Sequence, residues 1–590
     1  MERCRRYFSL IFVFAIGSIM FPIIAFAQDS EPLCSSDFSR MIVDQQAAEL
    51  GLNLPRPKKV QVLLLTGDFL WDRDNVNARK YFAEALAIAA EHRLESHEKE
   101  KSGARPYNVE RDLEMSVISA IAKRDAKWAY SLLQKIAKDA AEDPAKDVGL
   151  DRLESILSIA KRNAGTDPKL SLDLFRLAIR DFPLDYVWIY TLFETAKQNR
   201  ALADQVFTEL LQRNSTAEPS RLIYLSHYAL ARESGIGISQ VQVTSKIDDN
   251  FKVDPKIRDL FLNYFLASSE SFLTNASRPA APGDPLQTEV VAIFSALDDL
   301  GGMVRTLPAS LQRRIMITRE RARSVMTTVE THRLNNRKNS WFSRTIEQRL
   351  AELEKAEKEN WLNDVDIANA LFGLSGEVSD LRRFEPWIGK FKSDSARSSA
   401  ADYFWFEMTS AAIKAGDLAA ADQFAARIRK PVVKSAAMFN IARAQFANLN
   451  NVASGYDILA RVSSVARSAP DSADKAAILM GLANLYADFN ASFAFTSLAD
   501  AVTALNKIGP HDSIPDSVVL EIVADNSKFV TMKSAKEFSF SGTFKKMAGI
   551  DLGLTLSNAK AIDDVYLRAV AVIATMKGCK VKSMAALSEN

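Results

Sequence analysis

Few residues of this 590-residue chain stand at a spacing that could do chemistry. Ser158-Ile159-Ala160-Lys161 puts a hydroxyl and an amine one helical turn apart, where an amine can activate a serine nucleophile. The companion motifs of that enzyme class are absent, and so short a pattern arises readily by chance. His92 and His97, among Glu91, Glu95 and Glu98, have the residue types of a metal site. Five residues apart on a helix, however, they point in different directions, so a solvated charged face is expected instead. The chain has no phosphate-cradling glycine loop, no His-Glu-x-x-His and no Gly-x-Ser-x-Gly, and no carboxylate pair stands out for glycoside chemistry.

The best binding candidate is a run of cations. Residues 305–349 hold eleven basic and three acidic side chains, with Arg313, Arg314, Arg319, Arg321 and Arg323 at its centre. Those arginines could meet an acidic glycan, an anionic head group or an acidic partner. The plainer reading pairs them with Glu352, Glu354, Glu357 and Glu359 on a facing helix.

The elements that must carry these residues are helical. Gly at 22 and Pro at 19 are scarce, while Ala, Leu and charged residues abound, which selects an all-α chain. Its length exceeds a single compact core, so several domains or an extended array is required. Before that body come Arg3, Arg5 and Arg6, an apolar stretch from Phe8 to Phe26, and the small-x-small site Ala25-Phe26-Ala27. This is the layout of a secretory signal cleaved near Ala27; the alternative is an uncleaved anchor. No later segment of the sequence is long and apolar enough to span a membrane.

Without residues 1–27, which hold Arg3, Arg5, Arg6 and Glu2, the 75 basic and 73 acidic residues become 72 of each sign. A nucleic-acid binder would show a basic excess, so no nucleic acid is expected. Cys34 and Cys579 remain, near opposite ends of that chain. An open array keeps its ends apart, so two unpaired thiols are expected rather than a disulfide.

Helix pairs recur along the chain. Asp143-Pro144 and Asp167-Pro168 mark helix starts, since Asp accepts from free N–H groups and Pro tolerates the first position. Tyr186 to Lys197 and Leu202 to Gln212 form one pair; Leu552 to Ala561 and Val565 to Lys577 form another. Val241 to Thr244 and Phe538 to Gly542 alternate as short strands would, and Leu311 to Leu334 with Phe342 to Trp361 read as a long polar hairpin. The expected divisions are a signal at 1–27, a leader at 28–57, helical repeats at 58–276, linker and hairpin at 277–378, and further repeats at 379–590.

The clearest repeat lies between Asp402 and Leu505. Turns at Gly416, Asn450 and Asn490 are 34 and 40 residues apart. Asp417-Leu418, Ile428, Val433-Lys434 and Ala437 also align without a gap onto Asp551-Leu552, Ile562, Leu567-Arg568 and Ala571. With Trp405 early in the first helix, Gly416 at the turn and Ala421 in the second helix, the segment resembles the tetratricopeptide-like superfamily. Trp188 and Asn199 fit a second unit; Thr409 stands where the family has a small residue, and the closing proline is displaced to Pro431. The resemblance implies an irregular α-solenoid of stacked antiparallel helix pairs, with at most one or two short strands, and protein or peptide binding on a concave wall. It supplies no catalytic residue and no cofactor. The expected protein is an exported scaffold without catalysis; the alternatives are a cell-envelope enzyme with an unrecognised site or a structural subunit of an envelope assembly.

Overall fold

The computed structural model describes residues 35–49, 54–101, 113–142, 149–231, 251–275, 285–326, 344–447, 452–510, 514–525 and 527–579. The signal segment, Cys34, Val241 to Thr244, the start at Asp143-Pro144 and the turn at Asn450 lie outside them.

The first half runs α1 (Ser36–Ala48), α2 (Arg56–Leu70), α3 (Asn75–Lys101), α4 (Leu113–Ala122), α5 (Ala126–Glu142), α6 (Gly149–Asn163) and α7 (Pro168–Asp181). It continues with α8 (Val187–Gln198), α9 (Arg200–Arg213), α10 (Pro219–Leu230), α11 (Pro255–Asn275), α12 (Pro285–Asp298) and α13 (Ala309–Val325). The second half has α14 (Ile346–Lys358), α15 (Asp364–Leu371), α16 (Val378–Arg382), α17 (Glu385–Ile388), α18 (Asp394–Lys414), α19 (Leu418–Ala426) and α20 (Pro431–Ala447). Then come α21 (Val452–Ser468), α22 (Ala473–Tyr486), α23 (Ala491–Ile508), a hairpin of β1 (Ser517–Ala524) and β2 (Ser527–Ser534), α24 (Phe540–Ala548), α25 (Leu552–Lys560) and α26 (Val565–Gly578).

The architecture is an irregular α-solenoid of helix pairs. From α2 to α13, even-numbered helices stack as one row and odd-numbered helices as a second row behind it. From α18 to α26 the even-numbered helices again stack as one row, and α23 packs on α25 behind it. Local signals set the joints. Asp167 accepts from the Leu170 N–H at 3.1 Å, with Pro168 opening α7. Gly416 takes φ +78°, a left-handed conformation that suits glycine at the α18–α19 turn. Asp417 and Asp551, aligned in the sequence, cap α19 and α25 alike, at 2.9 Å and 2.8 Å.

The two halves join at the chain ends. α26 packs on α24 and α25 behind it, and on α1 and α2 ahead of it. It thus sits in the front row directly before α2, with α1 as its second helix. Ten of its fourteen residues are buried, including every residue from Ala569 to Met576, as a helix with neighbours on both sides requires. Polar links reinforce the joint. Lys577 Nζ meets Asp68 at 2.7 Å, the Tyr566 hydroxyl donates to Gln61, and Asp68 also receives Arg124 Nε at 2.7 Å. Cys579, at the end of α26, is disulfide-bonded, which corrects the expectation of two unpaired thiols: the ends meet.

Other expectations change too. Phe538 to Gly542 is a 3₁₀ turn leading into α24, not a strand, and the strands lie just upstream. Among the described residues the principal neighbours of α13 are α11 and α12, and that of α14 is α15; residues 327–343 of the expected hairpin lie outside the described residues. No helix among the described residues is long and apolar enough to cross a membrane.

Burial raises the pKa of Asp68, but hydrogen bonds and charge from Lys577 and Arg124 outweigh it and hold the carboxyl below its ordinary value. A depressed carboxyl contributes stability that is present above the unfolded pKa of about 3.9 and lost as pH falls through the folded value. Asp68→Asn should therefore lower the urea midpoint at pH 7, with the gap to the parent closing towards pH 2. Gly578 makes a second test, because a Cβ there would run into the Lys545 carbonyl on α24. Gly578→Ala should cost about 1–3 kcal/mol. Gly302→Ala, whose added Cβ meets nothing within 4 Å, should stay within about 0.5 kcal/mol of the parent by the same denaturation.

Candidate functional site

The site grows from one buried carboxylate. Asp402, midway along α18, accepts the backbone N–H groups of Arg429 at 2.6 Å and Lys430 at 3.1 Å. Those donors precede Pro431, so α18 caps the start of α20 from outside that helix. Asp364, at the head of α15, does the same for α18 through the Lys392 and Ser393 N–H groups at 2.8 Å and 3.0 Å. Each cap fixes how far one helix slides along the next, and the Asp402 cap leaves a gap beside it.

The hairpin closes that gap. β1 lies across α15, α18 and α20, burying Val518, Leu520 and Ile522 beneath it. The result is a cavity of about 520 Å³, a size that suits a small ligand or a few residues of chain. Ser395, Ser398, Ser399, Asp402 and Tyr403 line it from α18; Arg429, Lys430 and Val433 from α20 and its approach; Val519, Leu520 and Glu521 from β1.

Its polar groups divide into two sets. Ser399 Oγ accepts the Val523 N–H at 3.1 Å and donates to the Ala396 carbonyl at 3.1 Å. The Tyr403 hydroxyl accepts the Gly373 N–H at 2.8 Å, and burial pushes its pKa up, so it stays a neutral phenol. Lys528 holds Glu521 at 2.7 Å, and this hydrogen bond keeps the carboxyl below its ordinary value against burial, with Lys430 adding charge at 3.8 Å. The second set is open: among the described residues the Ser395 and Ser398 hydroxyls and the Arg429 guanidinium take no side-chain partner. No histidine lines the cavity; its charged groups are Asp402, Glu521, Arg429 and Lys430.

The residues singled out in the sequence lie elsewhere. Arg313, Arg314, Arg319, Arg321 and Arg323 are all on α13, the last helix of the first half. Arg314 reaches Glu270 at 2.9 Å and Asn263 at 3.0 Å; Arg319 reaches Asp298 at 2.7 Å. Arg313, Arg321 and Arg323 are exposed. Their expected partners are used otherwise: Glu352 meets Arg344, Glu357 meets Lys390, and Glu359 accepts from the Trp361 indole at 3.0 Å. No hydrogen bond among the described residues joins Ser158 to Lys161, both on α6. His92 is on α3, the His97 side chain lies outside the described residues, and no metal-holding group of His, Cys, Asp or Glu occurs among those described. Trp188 and Trp405 are buried, packing on Phe175 and Phe424 at 6.1 Å and 5.9 Å, as interhelical core. Asn490, one of the repeat turns, is a helix-end residue that caps α23.

The cavity escaped sequence reasoning because its three walls come from distant segments. One sign was available: Val518, Val519, Ile522 and Val523 make a β-branched run just before Asp525-Asn526, a strand followed by a turn. Asp402→Ala strips two N–H groups of their charged acceptor and should cost about 2 kcal/mol in chemical denaturation. Asp402→Asn, which keeps one acceptor, should recover part of that loss.

No protein-family model matches this chain, and no curated protein matches it.

Proposed function

We propose that the protein is an exported, tetratricopeptide-like scaffold that binds a protein or peptide partner and performs no catalysis of its own. The observation that carries this reading is the cavity between α18, α20 and β1, where Ser395, Ser398 and Arg429 offer open hydrogen-bonding groups on a rigid helical frame. Hydroxyls beside a guanidinium can recognise carbonyls and carboxylates; proton transfer would call for an imidazole or an unengaged carboxylate beside them. The tetratricopeptide-like character draws support from buried Trp405, fully buried Ala421 and the left-handed Gly416. Export draws support from Arg3, Arg5 and Arg6, the apolar stretch Phe8 to Phe26 and Ala25-Phe26-Ala27.

Site-specific photo-crosslinking tests the reading. A benzoylphenylalanine at Ser398 should give a discrete adduct in the native envelope fraction, and the same probe at exposed Ser324 on α13 should not. No adduct from Ser398, together with a hydrolase activity of the pure protein that is lost on changing Ser395 and Ser398, would sink the scaffold reading.

A further inference from the structure

We propose that an extended peptide with acidic side chains adds to the open edge of β1 as a third strand, a mode of recognition that rests on the peptide-binding reading above. The hairpin's own register identifies that edge. Ala524 stands opposite Ser527, which leaves two residues of sequence between the strands. In a two-residue hairpin the closing pair exchanges both backbone bonds and the pattern alternates from there. Ala524, Ile522, Leu520 and Val518 therefore direct N–H and C=O towards β2, while Val523, Glu521 and Val519 direct theirs away from it. Val523 agrees, since its N–H goes to Ser399 Oγ at 3.1 Å rather than to β2.

Helix α18 thus covers the edge at Val523. Further along, the N–H and C=O of Val519 and Glu521 meet no partner among the described residues, and both residues line the cavity of about 520 Å³. A row of unpaired strand groups is a template for another strand, which would gain main-chain bonds here. Alternate side chains of that strand would continue the exposed apolar face of Val519, Val530 and Met532, and the others would face Ser395, Ser398 and Arg429.

Charge selects the occupant. The Asp402 carboxylate is taken up by backbone N–H groups, and Glu521 is held by Lys528 at 2.7 Å. The Arg429 guanidinium is uncommitted, and Lys430 stands off at 3.8 Å from Glu521. The unspent charge is positive, so acidic side chains fit and basic ones do not. A second copy paired edge to edge by two-fold symmetry would set Arg429 near its own equivalent, which like-charge repulsion opposes.

The test uses the whole chain and a capped heptapeptide of alternating Val and Glu. Controls are its Val-Lys counterpart and a version with alternate backbone nitrogens methylated. Anisotropy should show the Val-Glu peptide binding at least tenfold more tightly than either control, and hydrogen–deuterium exchange should slow across residues 517–524. Val519→Pro, which removes one edge donor at a position an edge strand tolerates, should weaken binding at least tenfold. Arg429→Glu should reverse the charge preference. The methylated peptide serves as the test should Val519→Pro disturb folding. Binding indifferent to methylation, or protection of residues 395–402 without 517–524, overturns strand addition while leaving the pocket reading in place. Absence of any binding overturns strand addition, and the Ser398 crosslink then decides the pocket reading on its own.

Discussion

The rest of the fold depends on the seating of α26 between α24 and α2. A helix pair cannot bury its apolar stripe alone, so every pair in a solenoid borrows a neighbour. At a free end the borrowing stops and a polar cap is required. Here the chain termini are not the ends of the stack: α26 is apolar all round and takes α1 as its second helix. The seam that seats α26 against α1 and α2 joins segments more than 500 residues apart, as the Tyr566–Gln61 and Lys577–Asp68 contacts between α26 and α2 record. Closing so long a loop costs on the order of 6 kcal/mol of chain entropy. Burial along both faces of α26 must exceed that, and the disulfide at Cys579 adds a covalent restraint at the end of α26.

This joint explains why Asp68 is placed where it is. It binds Lys577 from the preceding front-row helix and Arg124 from just beyond the end of the following one, α4. One carboxylate therefore ties three successive units across the seam. Asp364 and Asp402 act on the same plan elsewhere, reaching from one helix to cap another. Such caps are directional, whereas apolar packing tolerates sliding. An array of degenerate, Ala-rich repeats gains a defined register from a few buried carboxylates.

Much of this was legible in the sequence wherever the cause was local. Asp167-Pro168, Gly416 and the match between Asp417 and Asp551 all act within one or two turns of helix, and each has the role its residue type dictates. What was illegible depended on non-local partners. Phe538 and Phe540 alternate and are both buried, yet Ser539 between them caps α24, so the alternation marks a helix start. Arg314 and Arg319 look like a binding run until Glu270 and Asp298 are brought alongside by α11 and α12. The apolar ring of α26 was a readable sign that this helix is no array end, but nothing local says which helix covers it.

The hairpin follows from the same contrast between local and non-local causes. Its turn and β-branched run are local, but a two-stranded ribbon is marginal in water and needs a surface. Helices α15, α18 and α20 supply it, and Leu520 and Ile522 are buried against them. Seating a flat ribbon on curved helices leaves the two strand edges unequal. β2 carries Lys528 and Lys533, charges of the kind that discourage pairing along an edge. β1 is sealed by Ser399 at one point and left open at Val519 and Glu521, where the Asp402 cap holds the start of α20 away from it. The buried carboxylate that fixes helix register is therefore also what keeps the cavity from collapsing onto the strand.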